Sequence, residues 1–326
     1  MKPADFLQLV VLGAIWGASF LFTRIAVPTF GPTWLVGIRI ASGGVFLLAA
    51  AVVLRRSLTG DRRTADSMRH YLLLGLLNTA CPFLLFAYAA MSLSASLLSI
   101  LNSTAPLWGT LIGAVLTRTL PTARVLVGLA AGSGGVTMLV LKDSSAMNAT
   151  SMLPVLAAIA APVCYGLASH YARLRTGHLE PLAVAHGSMW GALASLAPAF
   201  AFAPAPAMPT AGVAAAALAL GVLCTGVAYL LYFRLLRDVG ATSALTVTFL
   251  IPAFGILWGV LFLGEPFGAA TVLGAAIVLI GTSLVTGFDP RGMLRLPRAG
   301  NDRLRKAGDG APPPSPESQA NAPGNR

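Results

Sequence analysis

Ten apolar stretches, none with an acidic side chain at its middle, decide what this chain can fold into. A bilayer core about 30 Å thick needs about 20 helical residues at 1.5 Å each. The stretches lie at roughly 6–28, 33–54, 70–90, 93–116, 122–141, 152–173, 181–203, 211–233, 241–263 and 268–288. They are long and continuous, so membrane-spanning helices are expected rather than the short alternating strands of a barrel. Charged residues make up only 10% and apolar residues 56%, whereas a soluble domain carries about 25% charged residues. With a mean hydropathy of +0.78, soluble enzymes, collagen-like chains and coiled coils are excluded. The short charged head Met1–Asp5 runs into an apolar stretch too long for a signal peptide, so that stretch reads as the first span.

The net charge of +11 is explained by where it sits. Lys2, Arg55, Arg56, Arg62, Arg63, Arg69, Arg118, Arg124, Arg173, Arg175, Arg234 and Arg237 all fall on one set of alternate connections. The other set has only Arg24 and Lys142 nearby. Basic loops stay in the cytoplasm. Both termini are therefore expected inside, in a bacterial-type cytoplasmic membrane, and a nucleic-acid partner is not needed to account for the charge. Residues 289–326 combine six basic residues from Arg291 to Lys306 with the run Ala311-Pro312-Pro313-Pro314. Such a segment buries too little apolar surface to fold. It reads as a disordered cytoplasmic tail that rests on anionic membrane lipid.

Shifting the sequence by 146 residues superposes Pro106 on Pro252, Gly109 on Gly255, Gly113 on Gly259, Gly128 on Gly274 and Gly135 on Gly281. A shift of 149 superposes Trp16-Gly17 on Tyr165-Gly166 and Arg24 on Arg173. The chain is thus expected to be an all-α membrane protein of two five-helix halves, 1–145 and 146–288. Five is odd, so the halves are inverted. The loop charges agree: the turn after span four holds Arg118, whereas its counterpart after span nine holds Glu265. Inverted repeats are a common transporter plan, with the substrate site near mid-membrane between the halves.

The order of several short motifs resembles the ten-helix, EamA-like branch of the drug/metabolite transporter superfamily. The matching residues are Trp16-Gly17-Ala18-Ser19-Phe20, Arg39, Ser96 to Pro106, Tyr229-Leu230-Leu231-Tyr232-Phe233, Pro252 and Gly264-Glu265-Pro266. The resemblance covers about residues 6–288 and implies export or exchange of small metabolites. The chain departs from the family where a glutamate often follows span four. Arg118-Thr119 stands there, so that turn is expected to lack the usual cap.

No Asp or Glu lies in the middle of a span, so a proton carrier of the usual carboxylate kind is missing. Facilitated movement down the substrate gradient is expected instead, with His170 and His186 as the candidates for proton coupling. Arg39 lies about 9 Å into span two, where a charge facing lipid is costly. It snorkels to headgroups, pairs with backbone carbonyls, or binds an anionic group of the substrate. Asn78, Asn102 and Thr248 are mid-span polar residues, and Asn102 and Thr248 precede Pro106 and Pro252 by one turn. Proline frees a carbonyl there and kinks the helix, so these prolines are candidate hinges and the three polar residues candidate substrate contacts. Trp16, Tyr165 and Tyr229 lie away from the interfacial belts and are candidate cavity walls. The glycine pairs Gly13/Gly17, Gly109/Gly113, Gly128/Gly132, Gly187/Gly191 and Gly255/Gly259 favour close helix packing, with a homodimer face as one use. Cys81, Cys164 and Cys224 have no metal-ligand spacing and read as small buried residues. No cofactor, metal or catalytic group is expected. The leading reading is a small-metabolite transporter, for amino acids or similar amphipathic solutes. A lipid or lipid-linked carrier flippase and a non-transporting membrane anchor are the alternatives.

Overall fold

Gly31 separates the first two expected spans. One continuous helical run, α1 (Pro3–Val53), covers both. A straight helix of that length would reach about 77 Å, more than twice the hydrocarbon core. Instead Gly31 takes φ 69° and ψ 162°, and Pro32 follows it directly. The backbone leaves the helix there, in a region that glycine reaches without a Cβ clash. The computed structural model describes residues 3–55, 64–142, 152–175, 181–244 and 246–287.

The other helices are α2 (Ser67–Ala89), α3 (Ala95–Thr117), α4 (Ala123–Lys142), α5 (Met152–Arg175), α6 (Pro181–Phe200), α7 (Ala211–Gly240), α8 (Val247–Leu263) and α9 (Ala269–Thr286). Among the described residues there is no strand. Seven helices, α1 to α5, α7 and α9, are long and apolar enough to cross a membrane, and α8 is a shorter apolar helix. The expected boundary between the halves, near 145, and the tail 289–326 fall outside the described residues.

The same irregularities occur twice. α2 widens into a π-turn at Leu76–Ala80, and α7 does so at Val222–Val227, starting 146 residues later. Left-handed backbone ends α3 at Arg118 (φ 53°) and α8 at Gly264 (φ 63°), again 146 apart. The proline positions are less alike. α3 is interrupted at Ser103–Thr104, just before Pro106. There the Ser103 and Thr104 hydroxyls donate back to the Ile100 and Leu101 carbonyls, at 2.7 and 2.6 Å. Pro252 instead lies inside α8, and the chain leaves the helix earlier, at Thr246.

Repeat mates also exchange contacts. A Cβ on Gly128 of α4 would fall 2.8 Å from the Gly281 carbonyl of α9, and one on Gly135 would fall 3.0 Å from that of Gly274. The two helices therefore run antiparallel with their backbones in contact. Gly128 and Gly274 are mates, as are Gly135 and Gly281. Each residue thus touches the mate of the other, the reciprocity that a two-fold axis generates. The relation recurs nearer the middle. A Cβ on Gly17 would lie 2.9 Å from Gly255 N, and one on Gly166 would lie 3.0 Å from Gly109 N.

This packing shows where the glycine pairs are used. All five glycine pairs face helices of the same chain: Gly13 and Gly17 meet Leu250 and Phe254, Gly113 meets His170, Gly187 meets Tyr71, and Gly259 meets Ser96. Each pair thus packs against another helix of this chain. The cysteines differ from the expectation. Cys224 is buried, but Cys81 and Cys164 are half-buried and adjacent, with sulfurs 3.7 Å apart between α2 and α5.

Candidate substrate cavity

Each π-turn inserts one residue into a helical turn and so rotates the rest of its helix by about 100°. One turn later come Phe83 on α2 and Tyr229 on α7, then Phe86 and Tyr232, and all four line a single cavity of about 630 Å³. That volume lies within the range of about 300–1,000 Å³ typical of small-molecule sites. Trp16 of α1 and Tyr165 of α5 complete the aromatic wall. The wall keeps the repeat symmetry. Trp16 packs on Tyr232 with ring centroids 5.5 Å apart, and their mates Tyr165 and Phe86 pack at 6.5 Å. The symmetry is chemical only in part, because the Phe83 and Phe86 positions carry hydroxyls in the second half.

Polar groups are set among these rings. Asn78 sits in the π-turn of α2, and Asn102 at the interruption of α3; both line the cavity. Neither side chain makes a hydrogen bond within the described residues. Thr248 lines the cavity too. Pro106 and Pro252 lack the N–H that an α-helix directs at the carbonyls of Asn102 and Thr248. Of these two prolines, Pro106 itself reaches the cavity wall.

Arg39 of α1 is the single charged residue among those lining the cavity. It does not reach out of the helix layer. Its guanidinium carbon lies 3.7 Å from the centroid of Phe83, and its Nε donates to Thr225 Oγ1 at 3.2 Å. Thr225 belongs to the second π-turn and donates in turn to the Leu220 carbonyl at 3.0 Å. Arg39 thus ties α1 of the first half to α7 of the second, with a cation–π contact as its main local support. Arg24, by contrast, donates to the Ala90 carbonyl away from the cavity lining.

The histidines lie elsewhere. His170 Nε2 is 2.7 Å from the Gly109 carbonyl, in the glycine contact between α3 and α5. His186 accepts from Trp190 Nε1 at 2.8 Å, one turn along α6. Neither lines the cavity.

A sequence model of the EamA-like transporter family matches residues 6–141 and, a second time, 152–287. The chain belongs to the EamA-like transporter family. Its relatives include the uncharacterized transporter YoaV of Bacillus subtilis, 21% identical over 285 residues, which are 86% of this chain and 96% of that protein. A probable terminal-alkyne amino-acid exporter of Streptantibioticus cattleyicolor is 24% identical over 292 residues, 87% of this chain and 94% of that one. A solved crystal structure superposes with a TM-score of 0.64 at 18% identity, covering 89% of this chain and 99% of the other, and shares the fold. As an EamA-like transporter the chain is a multi-pass membrane protein.

Sequence reasoning overlooked Phe83, Phe86, Cys224 and Thr225 as parts of this EamA-like cavity. The signal was present, because the 146-residue shift that superposes the prolines also puts Phe83 on Tyr229, Phe86 on Tyr232 and Asn78 on Cys224. It also missed the partner of Glu265. That carboxylate accepts from Ala95 N at 2.6 Å and from Ser96 N at 2.9 Å, so it caps α3 from the turn after α8.

Proposed function

We propose that this EamA-like transporter carries small amphipathic metabolites, amino acids or related solutes, out of the cell by alternating access. In this reading the chain crosses the bilayer ten times. The halves 1–145 and 146–288 are inverted, and both termini face the cytoplasm. One observation carries the reading: a single cavity is walled by repeat mates from both halves, Trp16 with Tyr232 and Tyr165 with Phe86. Rocking the halves about such a site exposes it to either face in turn.

Trp16, Tyr165 and Tyr229 hold the apolar body of the solute, and Asn78, Asn102 and Thr248 supply neutral hydrogen bonds. No carboxylate lines the cavity among the described residues. Movement is therefore facilitated, and the solute gradient sets its direction. The kinship with a probable amino-acid exporter supports the solute class. The test is counterflow from proteoliposomes of the purified full chain, with a panel of amino acids and small metabolites at two pH values. Protein-dependent exchange of at least one solute, little changed by pH, is expected. A panel from which nothing moves overturns the proposal.

A further inference from the structure

The ring packing of the cavity follows the repeat, but its charge does not. Arg39 is its one ionised lining group, and arginine keeps its proton in proteins. Among the described residues it makes no ion pair. Of its five N–H donors, only Nε finds a protein partner, Thr225. Phe83 covers one face of the guanidinium. The Nη edges have no hydrogen-bond partner in the described residues, and the residue is half-buried rather than closed over. A cation in a low-dielectric setting gains most from an anion that matches its fork of donors. Among the described lining residues none is an anion, which leaves the place open to an acidic group of the solute.

We infer that the cavity selects organic monoanions, with one acidic head on Arg39, a compact apolar or aromatic body against the rings, and no ammonium group. This rests on the carrier reading above and narrows its solutes to the deaminated relatives of amino acids, in place of the amino acids themselves. An α-amino acid places its ammonium next to its carboxylate, and therefore next to Arg39. Among the described lining residues no carboxylate meets that ammonium, and Arg39 repels it. A deaminated acid keeps the favourable half of the interaction and drops the unfavourable half. An amine keeps only the unfavourable half.

Three probes with one body and different charge at neutral pH separate the cases: 3-phenylpropionate, phenylalanine and phenethylamine. Affinity of the full chain in detergent is read from tryptophan fluorescence, with Trp16 in the cavity wall as reporter, and from ligand-dependent thermal shift. Both readouts are blind to passive leak of weak acids and bases. We expect 3-phenylpropionate to bind about tenfold tighter than phenylalanine, a factor in keeping with one uncompensated close charge, and phenethylamine not to bind. In Arg39→Gln the preference for the acid should fall away. Arg39→Lys should retain the order of the probes with weaker binding, because charge survives without the fork. If Arg39→Gln fails to fold, the wild-type order of the three probes decides alone. Phenylalanine or phenethylamine binding as tightly as the acid overturns the inference and leaves the carrier reading intact, as does binding of none of the probes while the counterflow panel still moves a solute. Absence of both probe binding and counterflow removes the carrier reading itself.

Discussion

Glu265 and Ser96 stand 169 residues apart in the chain and are joined twice: the carboxylate Oε2 accepts from the Ser96 hydroxyl at 2.5 Å and from its backbone N–H at 2.9 Å. Oε1 takes the neighbouring Ala95 N–H at 2.6 Å. Two of the unpaired donors at the start of α3 are thereby satisfied by an anion, which the helix dipole also favours. Glu265→Ala should lower stability by about 1–3 kcal/mol, the cost of leaving such donors unmet. Glu265→Gln should lose less, because one amide oxygen remains to accept. Thermal midpoints in detergent give the size, and amide exchange at Ala95 and Ser96 should quicken. Unchanged exchange there would mean that water caps the helix as well as the carboxylate does.

Gly134 and Gly135 are adjacent on α4 and should respond oppositely. A methyl on Gly135 would lie 2.9 Å from Val278 Cγ2 and 3.0 Å from the Gly274 carbonyl, whereas one on Gly134 meets nothing within 4 Å. Gly135→Ala should destabilise by about 1–3 kcal/mol through overpacking. Gly134→Ala should be neutral or stabilise by up to about 1 kcal/mol, because alanine is the better helix former. Unfolding curves of the two variants side by side check the antiparallel α4–α9 contact. Equal effects would remove it.

Cys81 and Cys164 offer a covalent probe of the contact between the halves. Their sulfurs are 3.7 Å apart, from α2 to α5. A diazene oxidant such as diamide takes two electrons and two protons from the thiol pair, becoming the hydrazine as the disulfide forms. We expect an intramolecular bond, seen as the loss of two hydrogens in intact mass and absent in Cys81→Ser. Exchange across liposomes should stop on oxidation and return with dithiothreitol. Cross-linked protein that still exchanges solute would show that α2 and α5 stay together throughout the cycle.

Trp16→Ala and Asn102→Ala should each reduce exchange about tenfold, the effect of about 1.4 kcal/mol of lost solute contact, with little change in folded yield. Both side chains face the cavity, and Asn102 has no hydrogen bond in the described residues to lose. Normal exchange in both variants would move the solute to another part of the molecule.

Leu120 and Met208 are each 95% exposed and lie in connections that the inverted reading puts on opposite faces. With the three native cysteines replaced by serine, Leu120→Cys should react with an impermeant maleimide only from the cytoplasmic side, and Met208→Cys only from outside. Labelling of both from one side would break the proposed topology.

Apolar length and glycine spacing made the helical fold and its duplication legible, because both are direct demands of a hydrocarbon surround. The cavity was legible to the extent that a polar or aromatic residue mid-span stands out: Trp16, Asn78, Asn102, Tyr165, Tyr229, Thr248 and Arg39 all line it. The histidines stand out equally and lie outside it, since a carbonyl such as that of Gly109 satisfies an imidazole as well as a pathway would. Phe83 and Phe86 look like any core phenylalanines until the π-turn at Leu76–Ala80 rotates them, and an apolar run gives no compositional sign of one extra residue per turn. The clasp of Glu265 on α3 joins positions too distant for any local spacing to reveal.

Two halves of identical sequence would make the two end states of the cycle equal in free energy, by symmetry alone. This chain is clasped at one end by Glu265, while at the matching turn the Thr119 side chain meets only that of Thr117 among the described residues, hydroxyl to hydroxyl at 2.7 Å. In the proposed alternating-access cycle that clasp favours the end state in which it is closed. Under that reading the two openings of the carrier are unequal before any solute arrives, and the lopsidedness is written into a single carboxylate.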